Sequence, residues 1–185
     1  MDVFERAYAF AARWEGGLDD DPDDPGGVTK YGVSIKALKD MYRRSASFLG
    51  SIGVLGPITR QTIIDLTPEQ AKLIFKREYW PAGFETLAET HPKMAFAAFD
   101  TALNMGMEYT RRLVQTAVGT TADGLWGPKT WKAIKEASDV LAVCSMIEMR
   151  KVRYAEIAEH RPASRKYLQG WLNRANALAK AVSEL

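Results

Sequence analysis

Apolar positions recur at helical spacing through most of the chain. Val3, Phe4, Ala7, Phe10, Ala11 and Trp14 fall on one face of a helix that Gly16-Gly17 stops. Residues 18 to 32 break this pattern with Asp, Pro and Gly, which predicts a loop or tight hairpin. Ser34 can cap a helix running to Arg44, and the three glycines between Gly50 and Pro57 predict a second loop. Thr67-Pro-Glu-Gln70 places Thr at an N-cap, Pro at the first helical position and Gln at the third, so a helix is expected from there to Trp80. Further helices are expected from Pro92 to Asn104, from Tyr109 to Val118, from Pro128 onward, from Asp139 to Glu159, and from Leu168 to Glu184. No convincing set of strands appears, only short extended pieces near the Asp-rich loop. The predicted fold class is mainly α.

Composition narrows the function classes. At 185 residues and 46% hydrophobic content the chain can bury a substantial core. A formal net charge of +2 suits an anionic partner without demanding one, and the dense Lys/Arg stripe of a nucleic-acid binder is missing. Arg43-Arg44, Arg111-Arg112, Lys72 and Lys76 read as solvated faces. Cys144 is the one cysteine, so no intrachain disulfide can form; its apolar surroundings, from Val140 to Val143, predict a buried, inert thiol. Met1-Asp-Val-Phe-Glu-Arg6 lacks the apolar core of a signal peptide, and no stretch reaches the ~20 apolar residues of a membrane span. The expectation is a protein made in the cytoplasm that does not insert into membranes.

The chemistry concentrates between Trp14 and Gly32. Glu15 is expected at the end of the first helix, where unpaired carbonyls create negative potential and Trp14 adds an apolar neighbour. Both favour the protonated carboxyl that a glycosidase acid requires, although a solvated helix-end glutamate is the plainer reading of Glu15 alone. Five aspartates follow within the six positions Asp19 to Asp24. Glycoside hydrolysis generally uses two carboxyl groups across the scissile bond, and Asp24, set before Pro25-Gly-Gly27, is the best-placed second one. Thr29 and Tyr31 bring hydroxyls that could orient a water or a sugar oxygen. Asp19, Asp21 and Asp23 have the spacing of a calcium-loop start, but Asp24 stands where that loop needs Gly and Lys30 where it needs Glu. Asp19 and Asp20 can equally cap turn amides. His91 and His160 stand outside any ligand motif, so neither metal nor cofactor is expected.

Trp14-Glu-Gly-Gly17, Asp21-Pro-Asp-Asp-Pro-Gly-Gly27, Thr29 and Tyr31-Gly-Val33 together resemble the signature of glycoside hydrolase family 108, N-acetylmuramidases of phages and prophages with a lysozyme-like helical fold. The resemblance implies that Glu15 is the catalytic acid. The order also resembles phage lysozymes: eight residues separate Glu15 from Asp24, while the four between Asp24 and Thr29 are one fewer than in those enzymes. Phe99-Asp-Thr-Ala-Leu-Asn-Met-Gly106, Arg150-Lys-Val-Arg-Tyr154 and Gly170-Trp-Leu-Asn-Arg174 are similar to later parts of the family pattern. Leu113-Val-Gln115 followed by Asp123-Gly-Leu-Trp-Gly-Pro-Lys-Thr130 resembles a compact peptidoglycan-binding module. The glycine-rich, apolar stretch from Ser45 to Thr59 departs from the more polar loop expected of relatives.

These readings combine into one expectation. Residues 1–92 form a lysozyme-like catalytic part and residues 93–185 a helical peptidoglycan-binding-like part, packed as one unit. The chain hydrolyses the β-1,4 bond between N-acetylmuramic acid and N-acetylglucosamine as an endolysin-type monomer, released to the wall through a holin or a secretion system. Glu15, Asp24 and Thr29 are the catalytic candidates. Tyr31, Tyr79, Trp80, Asn104 and Trp126 are the substrate-binding candidates, each with a plainer reading as core, helix cap or turn anchor; Trp171 is expected in the core. A non-catalytic wall-binding protein and a lytic transglycosylase are the rival readings.

Overall fold

The structure, a computed structural model, describes residues 1–20 and 27–185. Those residues form ten α-helices and one two-stranded antiparallel hairpin. They divide into two compact units: Met1–Phe10 with Tyr79–Leu185, and Ala11–Glu78. The mainly α class expected from the periodicity and the lysozyme-like fold implied by the resemblance are both observed.

The larger unit begins with most of α1 (Val3–Ala12) and continues with α5 (Ala82–Thr90), α6 (Pro92–Met105), α7 (Met107–Ala117), α8 (Pro128–Glu136), α9 (Asp139–His160), a 3₁₀ segment (Pro162–Tyr167) and α10 (Leu168–Ser183). Its axis is α6, in which nine successive residues, Met94 to Ala102, are buried. A helix apolar on all sides belongs inside, and α5, α7, α9 and α10 all pack against it. Phe4 closes one flank, with its ring centroid 5.4 Å from Trp80 and 5.5 Å from Phe99. Asp139 caps α6 from the neighbouring helix: its two carboxylate oxygens accept from the Lys93 and Met94 N–H groups at 3.0 and 2.8 Å.

Three fragments of the family-like pattern meet in this core. Arg150 Nη1 donates to Asp100 Oδ2 at 2.6 Å, and Arg174 donates to Asp100 Oδ1 through Nε at 3.0 Å and Nη2 at 2.8 Å. Tyr154 Oη accepts from Arg150 Nε at 2.7 Å. Asp100 and Arg150 are fully buried. One carboxylate thus joins α6, α9 and α10 through two guanidiniums, and the motif residues have a structural reason to occur together.

The smaller unit carries β1 (Thr29–Lys30), β2 (Val33–Ser34), α2 (Ile35–Ser51), α3 (Arg60–Ile64) and nearly all of α4 (Pro68–Tyr79). Ser34 Oγ caps α2 by accepting from Ala37 N at 3.2 Å. Thr67 and Gln70 form the expected reciprocal box on α4: Thr67 N donates to Gln70 Oε1 at 2.9 Å and Gln70 N to Thr67 Oγ1 at 3.2 Å.

Several expectations need correction. The helix after Ser34 does not end at Arg44: it bends at Ser45 (φ −152°) and runs to Ser51, because Leu49 prolongs the buried stripe of Leu38 and Met41. Helices α3 and α5 were not expected. The first is five residues long, too short to show a period, and rests on a Thr59–Thr62 capping box. The second hides its apolar face in only Phe84 and Leu87. Cys144 is exposed, not buried, because the inward stripe of α9 runs through Ala142, Val143, Met146, Ile147, Arg150, Tyr154 and Ala158 and leaves residue 144 outside. Trp171 is half-buried, with its ring 5.2 Å from that of Tyr154.

Candidate active site

Helix α1 ends at Ala12, so Glu15 lies just past its last turn instead of in it. Two amides still fold back onto the helix end: Trp14 N and Glu15 N donate to Ala11 O at 2.8 and 3.2 Å. The chain then reaches Asp19, which forms a β-bridge with Thr29 through paired backbone hydrogen bonds of 2.8 Å each. Thr29 opens the hairpin, in which it faces Ser34 while Lys30 faces Val33. The two-residue turn is Tyr31-Gly32, with φ of +50° and +77°. Positive φ at both central positions is what lets a tight turn follow the twist of its strands.

Gly32 is where the hairpin meets Glu15. A Cβ there would sit 3.0 Å from Glu15 Oε2, 3.2 Å from Glu15 Cγ and 2.9 Å from Phe75 Cζ. The hairpin backbone and the edge of a buried phenylalanine therefore wall one side of the Glu15 carboxyl, which is half-buried. Trp14, expected to shield it, is 39% exposed. Gly32 and Phe75 were not among the expected site residues. The signal for Gly32 was available: an isolated glycine in an extended segment marks close backbone approach. Phe75 had none, since it reads as an ordinary core position of α4.

The rest of the loop is braced. Thr29 Oγ1 donates to Gly27 O at 3.1 Å, which leaves the hydroxyl oxygen able to accept. Lys30 Nζ donates to Ile64 O and lies 5.2 Å from the Tyr31 ring centroid. Asp20 pairs with Arg60, whose hydrogen bond holds the Asp20 carboxyl below the usual aspartate range. Asp20 thus anchors the loop to Arg60 through a side-chain pair.

Of the other candidates, Asp24 lies outside the described residues, as do Asp21 and Asp23. Tyr79, Trp80, Asn104 and Trp126 belong to the larger unit, whereas Glu15, Thr29 and Tyr31 belong to the smaller one. Trp80 is 5% exposed, and its ring packs on Phe4, Phe84 and Phe99, which makes it a core residue. Tyr79 is half-buried at the end of α4. Asn104 is exposed and donates through Nδ2 to Asp100 O at 2.9 Å, serving the end of its own helix. Trp126 is half-buried, and its Nε1 donates to Arg111 O at 3.2 Å. Among the described residues, no group of three or more His, Cys, Asp or Glu side chains gathers to hold a metal ion.

The Asp123 to Thr130 motif acquires a hub that was not foreseen. Gln115, 1% exposed, donates through Nε2 to Asp123 Oδ1 at 2.7 Å, Leu125 O at 3.0 Å and Thr130 Oγ1 at 3.1 Å, while its Oε1 accepts from Gly124 N at 2.7 Å.

The family model described as Glycosyl hydrolase 108 matches residues 8–106, more than half of the chain. The chain belongs to glycosyl hydrolase family 108. A second model, described as a Predicted Peptidoglycan domain, matches residues 109–176 of this family 108 protein. The solved structure of SagA from Brucella abortus shares its fold, with 21% sequence identity, a TM-score of 0.64 and 95% of each chain covered. The search of curated proteins gave no match. As a family 108 member the protein is a glycoside hydrolase, and its two matched regions together mark a hydrolase that acts on peptidoglycan.

Proposed function

We propose that this family 108 protein is an endolysin-type muramidase that cleaves the β-1,4 bond between N-acetylmuramic acid and N-acetylglucosamine, with Glu15 as general acid. The observation that carries the reading is the Glu15 carboxyl seated against the Gly32 turn and the Phe75 edge. A side chain held this way presents its proton to a glycosidic oxygen from one direction, which is what proton transfer to a leaving group requires. Glu15 gives its proton to the oxygen that departs with N-acetylglucosamine. Positive charge develops at C1 of the muramic sugar, and water attacks there. Asp24, the second carboxylate of the proposal, accepts the proton of that water or balances the charge at C1. Thr29 accepts a hydrogen bond from the water or a sugar hydroxyl, and Tyr31 borders the sugar. Residues 1–92 carry cleavage and residues 93–185 wall recognition. The enzyme works as a monomer, and a holin or a secretion system gives it access to the wall.

The test compares wild type with Glu15→Gln on purified peptidoglycan, with circular dichroism confirming both folds. Clearing by the wild type, new reducing muramic ends and a loss of at least about 100-fold in the variant are expected. Equal clearing by both proteins removes Glu15 from the mechanism. Anhydro-muramic ends convert the assignment to a lytic transglycosylase. Binding to several walls without turnover converts it to a wall-binding protein.

A further inference from the structure

The larger unit holds a cavity of about 760 Å³, and Glu15, Thr29 and Tyr31 are not among the residues that line it. One wall comes from the start of α5, within the region matched by the family 108 model, and the other from residues 111 to 131, within the peptidoglycan-domain match. The walls are aromatic. Trp126 and Trp131 meet edge to face, with centroids 5.3 Å apart and planes at 83°, and Phe84 backs Trp126 at 5.7 Å. The bond from Trp126 Nε1 to Arg111 O fixes the first indole in place. Gly83 keeps the floor low: a Cβ there would already lie 3.5 Å from both indoles, so any longer side chain would fill the space. Leu125, 72% exposed, extends the apolar surface to the rim.

The charge of the groove is equally specific. Arg111 lines it and forms no ion pair among the described residues, whereas its neighbour Arg112 pairs with Glu108 and donates to Ala122 O. The first turns of α5 and α8, neither with a side-chain cap, border the same space and add positive potential. Fixed indoles suit the apolar CH face of a pyranose ring, and a cation beside them suits a carboxylate. A muropeptide supplies both within one repeat: acetamido sugars, and an acidic peptide on the lactyl group.

We infer that the groove between Gly83, Arg111, Trp126 and Trp131 is a second peptidoglycan site, which holds a sugar ring against the indoles and a stem-peptide carboxylate against Arg111. This inference rests on the assignment of peptidoglycan as the partner.

The probe is the disaccharide N-acetylglucosaminyl-β-1,4-N-acetylmuramic acid carrying a tripeptide, which contains no bond of the kind assigned to Glu15. Titrated into the ¹⁵N-labelled full chain, it should move the indole N–H resonances of Trp126 and Trp131 saturably. Arg111→Glu should weaken that response at least tenfold, and Gly83→Leu should abolish it. Unmoved indoles, or equal responses in wild type and both variants, overturn the site. Wall clearing by the wild type is measured in parallel. Clearing with silent indoles removes the groove alone, and responding indoles without clearing keep the groove while removing the hydrolase.

Discussion

Gly32 leaves the space that the Glu15 carboxyl occupies: a methyl group at residue 32 would stand 3.0 Å from Glu15 Oε2. Gly32→Ala should therefore do two things. The positive φ of +77° costs a non-glycine residue about 1–2 kcal/mol, and the new methyl displaces the acid. Gly106→Ala separates the effects, because Gly106 has φ +86° with nothing within 4 Å of a Cβ. Both variants should melt earlier, but only Gly32→Ala should lose about tenfold or more in wall clearing, as a 1 Å misplacement of a catalytic group does. Equal activity in the two would disconnect Gly32 from Glu15.

Tyr31 adopts φ +50°, a conformation that L residues with a bulky side chain rarely hold. Its replacement by Asn, which tolerates this region, should raise stability by about 1 kcal/mol in urea unfolding. If Tyr31 borders the sugar, the same variant should lose activity while it gains stability. A stabilised variant with unchanged KM and kcat would assign the tyrosine no part in substrate contact.

Asp100 pairs with two buried arginines, Arg150 and Arg174, and accepts hydrogen bonds from both. Asp100→Ala takes the carboxylate from the fully buried Arg150 and should destabilise the fold by about 3–5 kcal/mol. Arg174→Met should cost less, because the Arg150–Asp100 pair that remains is neutral and still hydrogen-bonded. Urea unfolding of the two variants ranks them, and the reverse order would contradict the geometry.

The Asp123 carboxyl is held below the usual aspartate range, first by the Gln115 amide and then by the Leu125 N–H. Its folded value is lower than its unfolded one, so its contribution is fully present above about pH 4 and lost as pH falls through the folded value. Asp123→Asn removes the titration and keeps an acceptor oxygen. The urea midpoint of the variant should fall less than that of the wild type between about pH 5 and pH 2.5. Identical acid limbs would mean that Asp123 does not couple to folding.

Much of this fold was legible because long helices repeat their apolar positions several times. Helices α6, α9 and α10 announce themselves through Pro92, the Asp139 start and the stripe after Leu168. Helices α3 and α5 were silent, since five residues and two buried apolar side chains cannot establish a period. Beside Glu15, a loop or tight hairpin over residues 18 to 32 was readable from its Asp, Pro and Gly residues, but the place of its turn was not. Phe75 was not, because its role depends on the edge of its ring reaching a turn more than forty residues earlier. The same holds for the role of Gln115: the motif contains it, but its use as a hub depends on four groups from beyond its own helix converging on its amide.

The assignment of Met1–Phe10 to the unit otherwise built from Tyr79–Leu185 has a consequence for how the protein is made. Phe4 leaves the ribosome 95 positions before Phe99, one of its aromatic neighbours. At elongation rates of about 5–20 residues per second that interval is roughly 5–20 s. Residues 11–78 are contiguous and complete before that interval ends, so they can collapse as a nascent unit while the helix that carries Phe4 waits for its partners. A nascent-chain complex stalled shortly after residue 78 clears the exit tunnel should already protect α2 and the hairpin from protease, with Phe4 still accessible.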